Sequence, residues 1–173
     1  MDTATVLIKP DAIIDALENR IIDDIETTTG LRVIWKRYWQ LSESDCRTIY
    51  PLSTEKPIFR FMLGNLIQGP SMILLVQGIE PISVLNNVKG TNVPGSGLRL
   101  RYRQCTQAEL EQRADNLEFI YKLKSENRIH VPDTNEEAAL LCSLCIAPSD
   151  KITIQKLCPK FYRLIEEQSF CST

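Results

Sequence analysis

Three observations predict an α+β sandwich of the ferredoxin-like kind: a four-stranded antiparallel sheet covered by helices, followed by a C-terminal helical extension. Apolar runs of strand length alternate with stretches of helical period, in the order β-α-β-α-β-α-β. One run, Ser71-Met-Ile-Leu-Leu-Val76, is continuously apolar, as a central strand covered on both faces must be. The chain has 173 residues, 43% apolar and 24% charged, which suits one domain with its own core. The simplest arrangement puts the helices on one face of the sheet.

Thr5-Val-Leu-Ile8 reads as a buried strand stopped by Lys9-Pro10. Ile13, Ile14, Leu17, Ile21, Ile22 and Ile25 then recur at helical spacing, so one amphipathic helix is expected, closed by Gly30. From Leu31 to Leu41 the period becomes two. Leu31, Val33, Trp35, Trp39 and Leu41 are expected on one face, with Arg32, Lys36 and Gln40 on the other.

Ser42-Glu-Ser-Asp45 caps a short helix reaching Tyr50, and Pro57 opens another that ends near Gly69-Pro70. After the central strand comes a helix from about Pro81 to Val88, then the glycine-rich loop Gly90 to Gly97. The polar stretch from Cys105 to Glu126 is partly helical by pattern. Arg128-Ile-His-Val131 is the fourth strand, and Thr134-Asn-Glu-Glu137 begins a helix whose acidic first turn suits its dipole. The expected division is a body over 1–147 and an extension over 148–173, with Ile152, Ile154, Leu157, Phe161 and Ile165 available for docking.

A formal charge of −2 argues against general binding of nucleic acid or of an anionic membrane, so any anion site must be local. No stretch approaches the ~20 apolar residues of a membrane span, and Met1 to Thr5 carries no targeting pattern. A cytoplasmic protein is expected. Six cysteines then read as reduced thiols, and Cys142-Ser-Leu-Cys145 as two small residues on a helix face rather than a redox or zinc pair.

His130, the only histidine, ends a strand just before a helix start, where free backbone N–H groups suit a phosphate. Lys9 and Arg99 offer positive charge, Thr91 a hydroxyl and Asn127 an amide. Alone, none is specific. In order along the chain they are: Val6-Leu-Ile-Lys9-Pro-Asp11, Tyr50, Lys56-Pro57, Gln68-Gly69-Pro70, Gly90-Thr91-Asn92, Gly97-Leu98-Arg99 and Asn127-Arg-Ile-His130 with Asp133. From about Thr5 to Ala139 the chain resembles the nucleoside diphosphate kinases.

That resemblance implies the ferredoxin-like fold and a phosphotransferase. The imidazole of His130 would take the γ-phosphate of a nucleoside triphosphate and pass it to a nucleoside diphosphate. Catalytic roles fall on His130, Lys9 and Tyr50. Nucleotide binding falls on Lys9, Ile58, Phe59, Met62, Thr91, Arg99 and Asn127. Mg²⁺ would arrive on the nucleotide phosphates, with no protein ligand set of its own, and a homo-oligomer is implied.

Five departures stand out. The family's arginine before the Gly-x-Thr-Asn loop is replaced by Asn86-Asn87-Val88-Lys89, leaving Lys89 or Arg101 to substitute. The base-stacking phenylalanine falls on Ile58, beside Phe59. Val131-Pro132 follows the histidine in place of Gly-Ser, and the orienting glutamate maps near Leu141. The segment about 104–126 is an insertion where the family builds trimer contacts, which argues against the usual hexamer. A second reading follows from the same departures: a nucleotide-binding regulatory or interaction module that has lost turnover.

Overall fold

The computed structural model describes residues 1–93 and 95–170; Pro94 of the glycine-rich loop and Cys171 lie outside the described residues. Four strands form one antiparallel sheet in the order β2-β3-β1-β4: β1 (Asp2–Ile8), β2 (Arg32–Trp39), β3 (Ser71–Gly78) and β4 (Ile129–His130). β1 runs against β3 in full register from Asp2↔Gly78 to Ile8↔Met72, and against β4 at Leu7↔His130 and Ile8↔Ile129. These two central strands are buried along nearly their whole length, as their unbroken apolar character requires.

Alternation along β1 and β3 sends side chains to two different cores. Ala4, Val6, Ile8, Met72, Leu74 and Val76 pack with α2 (Glu18–Thr29) and α5 (Pro81–Lys89). Leu7 and Ile73 meet α3 (Glu43–Ile49), α4 (Phe59–Ile67) and α9 (Asn135–Cys145) on the opposite face. Helices therefore cover both faces of the sheet, not one. The reason is in β3: a strand apolar at every position needs a core on each side.

The structure breaks the long N-terminal helix expected from the isoleucine spacing. α1 (Pro10–Ile14) ends at Asp15, Ala16 takes a left-handed φ of 54°, and α2 starts afresh at Glu18. Gly30 caps α2 at φ 70°, as its position predicts. The second strand also differs. A register shift between Val33 and Trp35 turns Leu31 and Val33 to the α2–α5 core, while Trp35, Trp39 and Leu41 face the other. A bulge of this kind reverses the side-chain alternation beyond it.

The polar stretch after the glycine-rich loop folds as three short helices, α6 (Gly97–Arg101), α7 (Gln107–Gln112) and α8 (Leu117–Ser125). Arg99-Leu-Arg101 thus lies on a helix. The tail is two helices, α10 (Pro148–Leu157) and α11 (Pro159–Phe170), split at Cys158-Pro159. Ile154, Phe161 and Ile165 dock as expected, joined by Tyr162, against Leu75, Ala138 and Cys142. Ile152 and Leu157 remain exposed. Cys142 and Cys145 are buried free thiols of α9, which is the helix-face reading.

Candidate active site

The pairing of β1 with β4 creates the site. Leu7 stands opposite His130, and the Lys9 N–H donates to the Arg128 carbonyl at 2.8 Å. Because side chains repeat every two residues, Lys9 and His130 leave adjacent strand ends on the same side of the sheet. There they open into a cleft of about 740 Å³, whose wall includes Tyr50, Ile58, Met62, Thr91, Arg99 and Asn127. One expected nucleotide contact is absent: Phe59 is 5% exposed and packs into the core with Leu66 and Ile73. At the start of α4, Ile58 takes the cleft side instead.

Gly90 and Gly97 shape the overhanging loop. A Cβ on Gly90 would lie 1.8 Å from the Ser96 carbonyl oxygen, and one on Gly97 would lie 2.3 Å from that of Val88. Both have positive φ, so only glycine lets the two ends of the loop close on each other. Inside it, the Thr91 hydroxyl donates to the Val93 carbonyl at 2.6 Å and accepts from Gly95 N–H at 3.1 Å. Arg99 follows at the first turn of α6, 3% exposed, donating to Asn92 Oδ1 at 2.7 Å and to the Ile129 carbonyl at 3.0 Å. Its Nε and the Tyr50 hydroxyl are buried without a partner among the described residues, both at the cleft.

Lys9 is buried, and its ammonium donates to the Ser125 carbonyl at 2.9 Å and to Asn127 Oδ1 at 2.6 Å. Burial lowers its pKa to about 7; Asp11 opposes the shift and Arg99 adds to it. Burial also holds His130 well below the ordinary imidazole range, helped by the charges of Lys9, Lys89 and Arg99. The imidazole is therefore neutral at pH 7, with a free electron pair on one ring nitrogen. Leu141, where an orienting carboxylate would sit, is buried in the core.

Other cations reach the cleft. Lys56, Lys89 and Lys124 line it, against the carboxylates Asp133 and Glu137. Lys89 donates to the Val131 carbonyl and to Asp133, both at 3.2 Å. Arg101 instead pairs with Asp24 of α2 at 2.7 Å and does not line the cleft. Asn86, in the stretch 86–89 where the resemblance expects an arginine, donates to the carbonyls of Ile82 and Pro132. The start of α9 offers less to a phosphate than its sequence suggests. Glu137 N–H is taken by Thr134 Oγ1, and Asp133 N–H by the Glu137 carboxylate.

This constellation of lysine, arginine, asparagine and neutral histidine around one cleft coincides with a family match along most of the chain. The sequence profile described as "Nucleoside diphosphate kinase" matches residues 2–150. The chain belongs to the nucleoside diphosphate kinase family. A nucleoside diphosphate kinase of a Nitratiruptor species is 26% identical over 126 residues, covering 70% of this chain and 91% of that one. That of Thermoplasma volcanium is 26% identical over 123 residues, covering 68% and 82%.

Among solved structures, the halophilic nucleoside diphosphate kinase of Halobacterium salinarum in complex with CDP aligns with a TM-score of 0.67 and 17% identity. It covers 86% of this chain and 89% of that one. The apo enzyme of Encephalitozoon cuniculi aligns with a TM-score of 0.64 and 22% identity, covering 83% and 88%. At these identities the structural likeness speaks to the fold. Two cations of this cleft carry little sequence signal of their own. Lys124 lies in no motif, and Lys56 stands only as part of Lys56-Pro57.

Proposed function

We propose that this chain is a nucleoside diphosphate kinase that moves the γ-phosphate of a nucleoside triphosphate to a nucleoside diphosphate through a phosphohistidine at His130. The observation that carries this reading is an imidazole, held by burial toward its neutral form, facing a cleft lined by five basic side chains, Lys9, Lys56, Lys89, Arg99 and Lys124. A neutral imidazole is a nucleophile at pH 7 without a partner base, and the cations favour a polyanionic substrate.

In the first half-reaction an imidazole nitrogen attacks the γ-phosphorus, and the bond to the β–γ bridging oxygen breaks with its electrons. The nucleoside diphosphate leaves. In the second, a terminal oxygen of the acceptor diphosphate attacks the same phosphorus, the N–P bond breaks, and the imidazole is neutral again. Lys9 steadies the transferring group and meets the ribose with Asn127. Arg99 and Thr91 hold terminal phosphate oxygens, Tyr50 braces the imidazole, and Ile58 with Met62 forms an aliphatic platform for the base. Lys89 takes the place of the missing arginine.

Asp133 and Glu137 are already engaged by Lys89 and by the Asp133 N–H, so the nucleotide phosphates would be the main holders of Mg²⁺. Bound there, it would neutralise phosphate charge. We expect a homo-oligomer, and the insertion about 104–126, placed where the family builds its trimer contacts, argues against the usual hexamer. The described cysteines are free thiols, which suits the reducing cytoplasm where we expect the protein to act.

Retention of His130 with Lys9 and Arg99 favours turnover over a silent nucleotide-binding module. Incubation with γ-labelled nucleoside triphosphate should give an acid-labile, base-stable phosphoprotein that His130→Ala abolishes. Nucleotide binding with no label would sink the kinase reading and leave the module.

A further inference from the structure

Asn65, on α4, is 4% exposed and lies behind the cleft wall rather than on it. Its Nδ2 donates twice, to Asp11 Oδ1 at 3.1 Å and to the Ser125 carbonyl at 2.8 Å. Its Oδ1 accepts from Gln68 Nε2 at 2.6 Å, which fixes the sense of the amide. The Ser125 carbonyl is also the one that receives the Lys9 ammonium. It belongs to the last residue of α8, where a helix leaves its carbonyls without onward partners.

Asp11, the second acceptor of Asn65, takes the Arg128 N–H at 3.1 Å, two residues before His130. One buried amide thus joins α1, the end of α8 and the approach to β4. An apolar residue would pack α4 on α8 without the desolvation cost of a carboxamide, so the bonds are what the position is for. Lys9 has several charged or titratable neighbours. Asp11 comes from α1, Arg99 from α6 and His130 from β4, with Lys56, Lys89 and Lys124 on the same cleft wall.

We propose that Asn65 is a positioning residue: it fixes the Ser125 carbonyl and so aims the Lys9 ammonium at the phosphoryl group in transfer. The arm carrying α7 and α8 is then part of the transfer machinery. This rests on the phosphotransferase reading. Without Asn65 the Ser125 peptide can turn away, and the protonated form of Lys9 loses a partner.

The test follows the Lys9 side-chain carbon resonances through a pH titration by NMR, alongside single-turnover transfer and nucleotide affinity. Asn65→Leu should lower the Lys9 midpoint by about half a pH unit. Transfer should fall about tenfold, or about 1.4 kcal/mol, while nucleotide affinity holds. Gln68→Met frees the amide from an exposed position and should move both readouts the same way by less. An unchanged Lys9 midpoint in the folded variants overturns the proposal. If Asn65→Leu does not fold, Gln68→Met decides. If the wild type forms no His130-dependent phosphoenzyme, the phosphotransferase reading falls, and the Lys9 titration still tests the positioning.

Discussion

The Tyr50 ring meets the His130 imidazole edge-on, with centroids 5.0 Å apart and ring planes at 62°. This contact limits rotation of the imidazole where Leu141 supplies no hydrogen bond. The Tyr50 hydroxyl is buried and has no hydrogen-bond partner among the described residues. Tyr50→Phe should therefore leave thermal stability unchanged or slightly raised, since it removes an unsatisfied buried group worth ~1 kcal/mol or more. Transfer should fall about tenfold for want of the hydroxyl. Tyr50→Ala should lose more, together with stability, because the brace goes too. Calorimetry and a transfer assay on both variants separate the two effects.

The pH dependence of kcat/KM reports groups on the free enzyme. His130 is held well below the usual 6.5, so the acid fall in rate should lie below that value. Lys9, with a pKa near 7, loses its proton as the pH rises through that value, and kcat/KM should decline on the alkaline side. Lys9→Arg, charged throughout, should abolish the alkaline decline even if the overall rate drops. A linked effect on stability has a definite sign. Between about 7 and 10.5 the unfolded chain keeps the Lys9 proton that the native state has released, so this residue adds stability as the pH rises through that window.

Lys89 and Arg101 were the two cations that could replace the family's arginine. The Lys89 side chain is 16% exposed and faces the cleft; that of Arg101 is 55% exposed and held by Asp24. Lys89→Ala should raise the nucleotide KM about tenfold, the scale of one lost charge-assisted contact. Arg101→Ala should leave it unchanged. The opposite ranking would reassign the clamp.

Elements whose signal is local were legible in the sequence. The apolar run 71–76 fixed a strand with two covered faces, and Ser42 with Asp45 forms the capping box its spacing implies. The residues of the site came from motif order, and Lys9, Tyr50, Thr91, Arg99, Asn127 and His130 do share one cleft. What escaped depends on long-range contact. The bulge in β2 leaves no trace in Val33-Ile34-Trp35, since all three are apolar and either register looks plausible. Ile58 and Phe59 are adjacent apolar residues, and only the docking of α4 decides which turns to the core. Asn65 and Ser125, sixty positions apart in the chain, meet only when α8 folds back.

Sequence pattern divides the chain at residue 147, and the packing gives that division a consequence. Ile154, Phe161, Tyr162 and Ile165 are buried against Leu75, Ala138, Ala139 and Cys142, and Arg37 of β2 pairs with Asp150 of α10. Leu75 lies on a central strand, so these helices cover the sheet itself. Each buried aliphatic or aromatic side chain contributes about 1.5–3 kcal/mol. Four of them match the whole stability of an ordinary domain, about 5–15 kcal/mol. A protein ending at residue 147 should therefore lack a cooperative melt, although the cleft residues are all present. In the 173-residue chain, Phe161→Ala should cost about 3–5 kcal/mol and leave the KM for nucleotide untouched. Circular dichroism melting tests both. A cooperative transition for 1–147 within a few degrees of the intact protein would mean that the tail rests on the sheet without holding it.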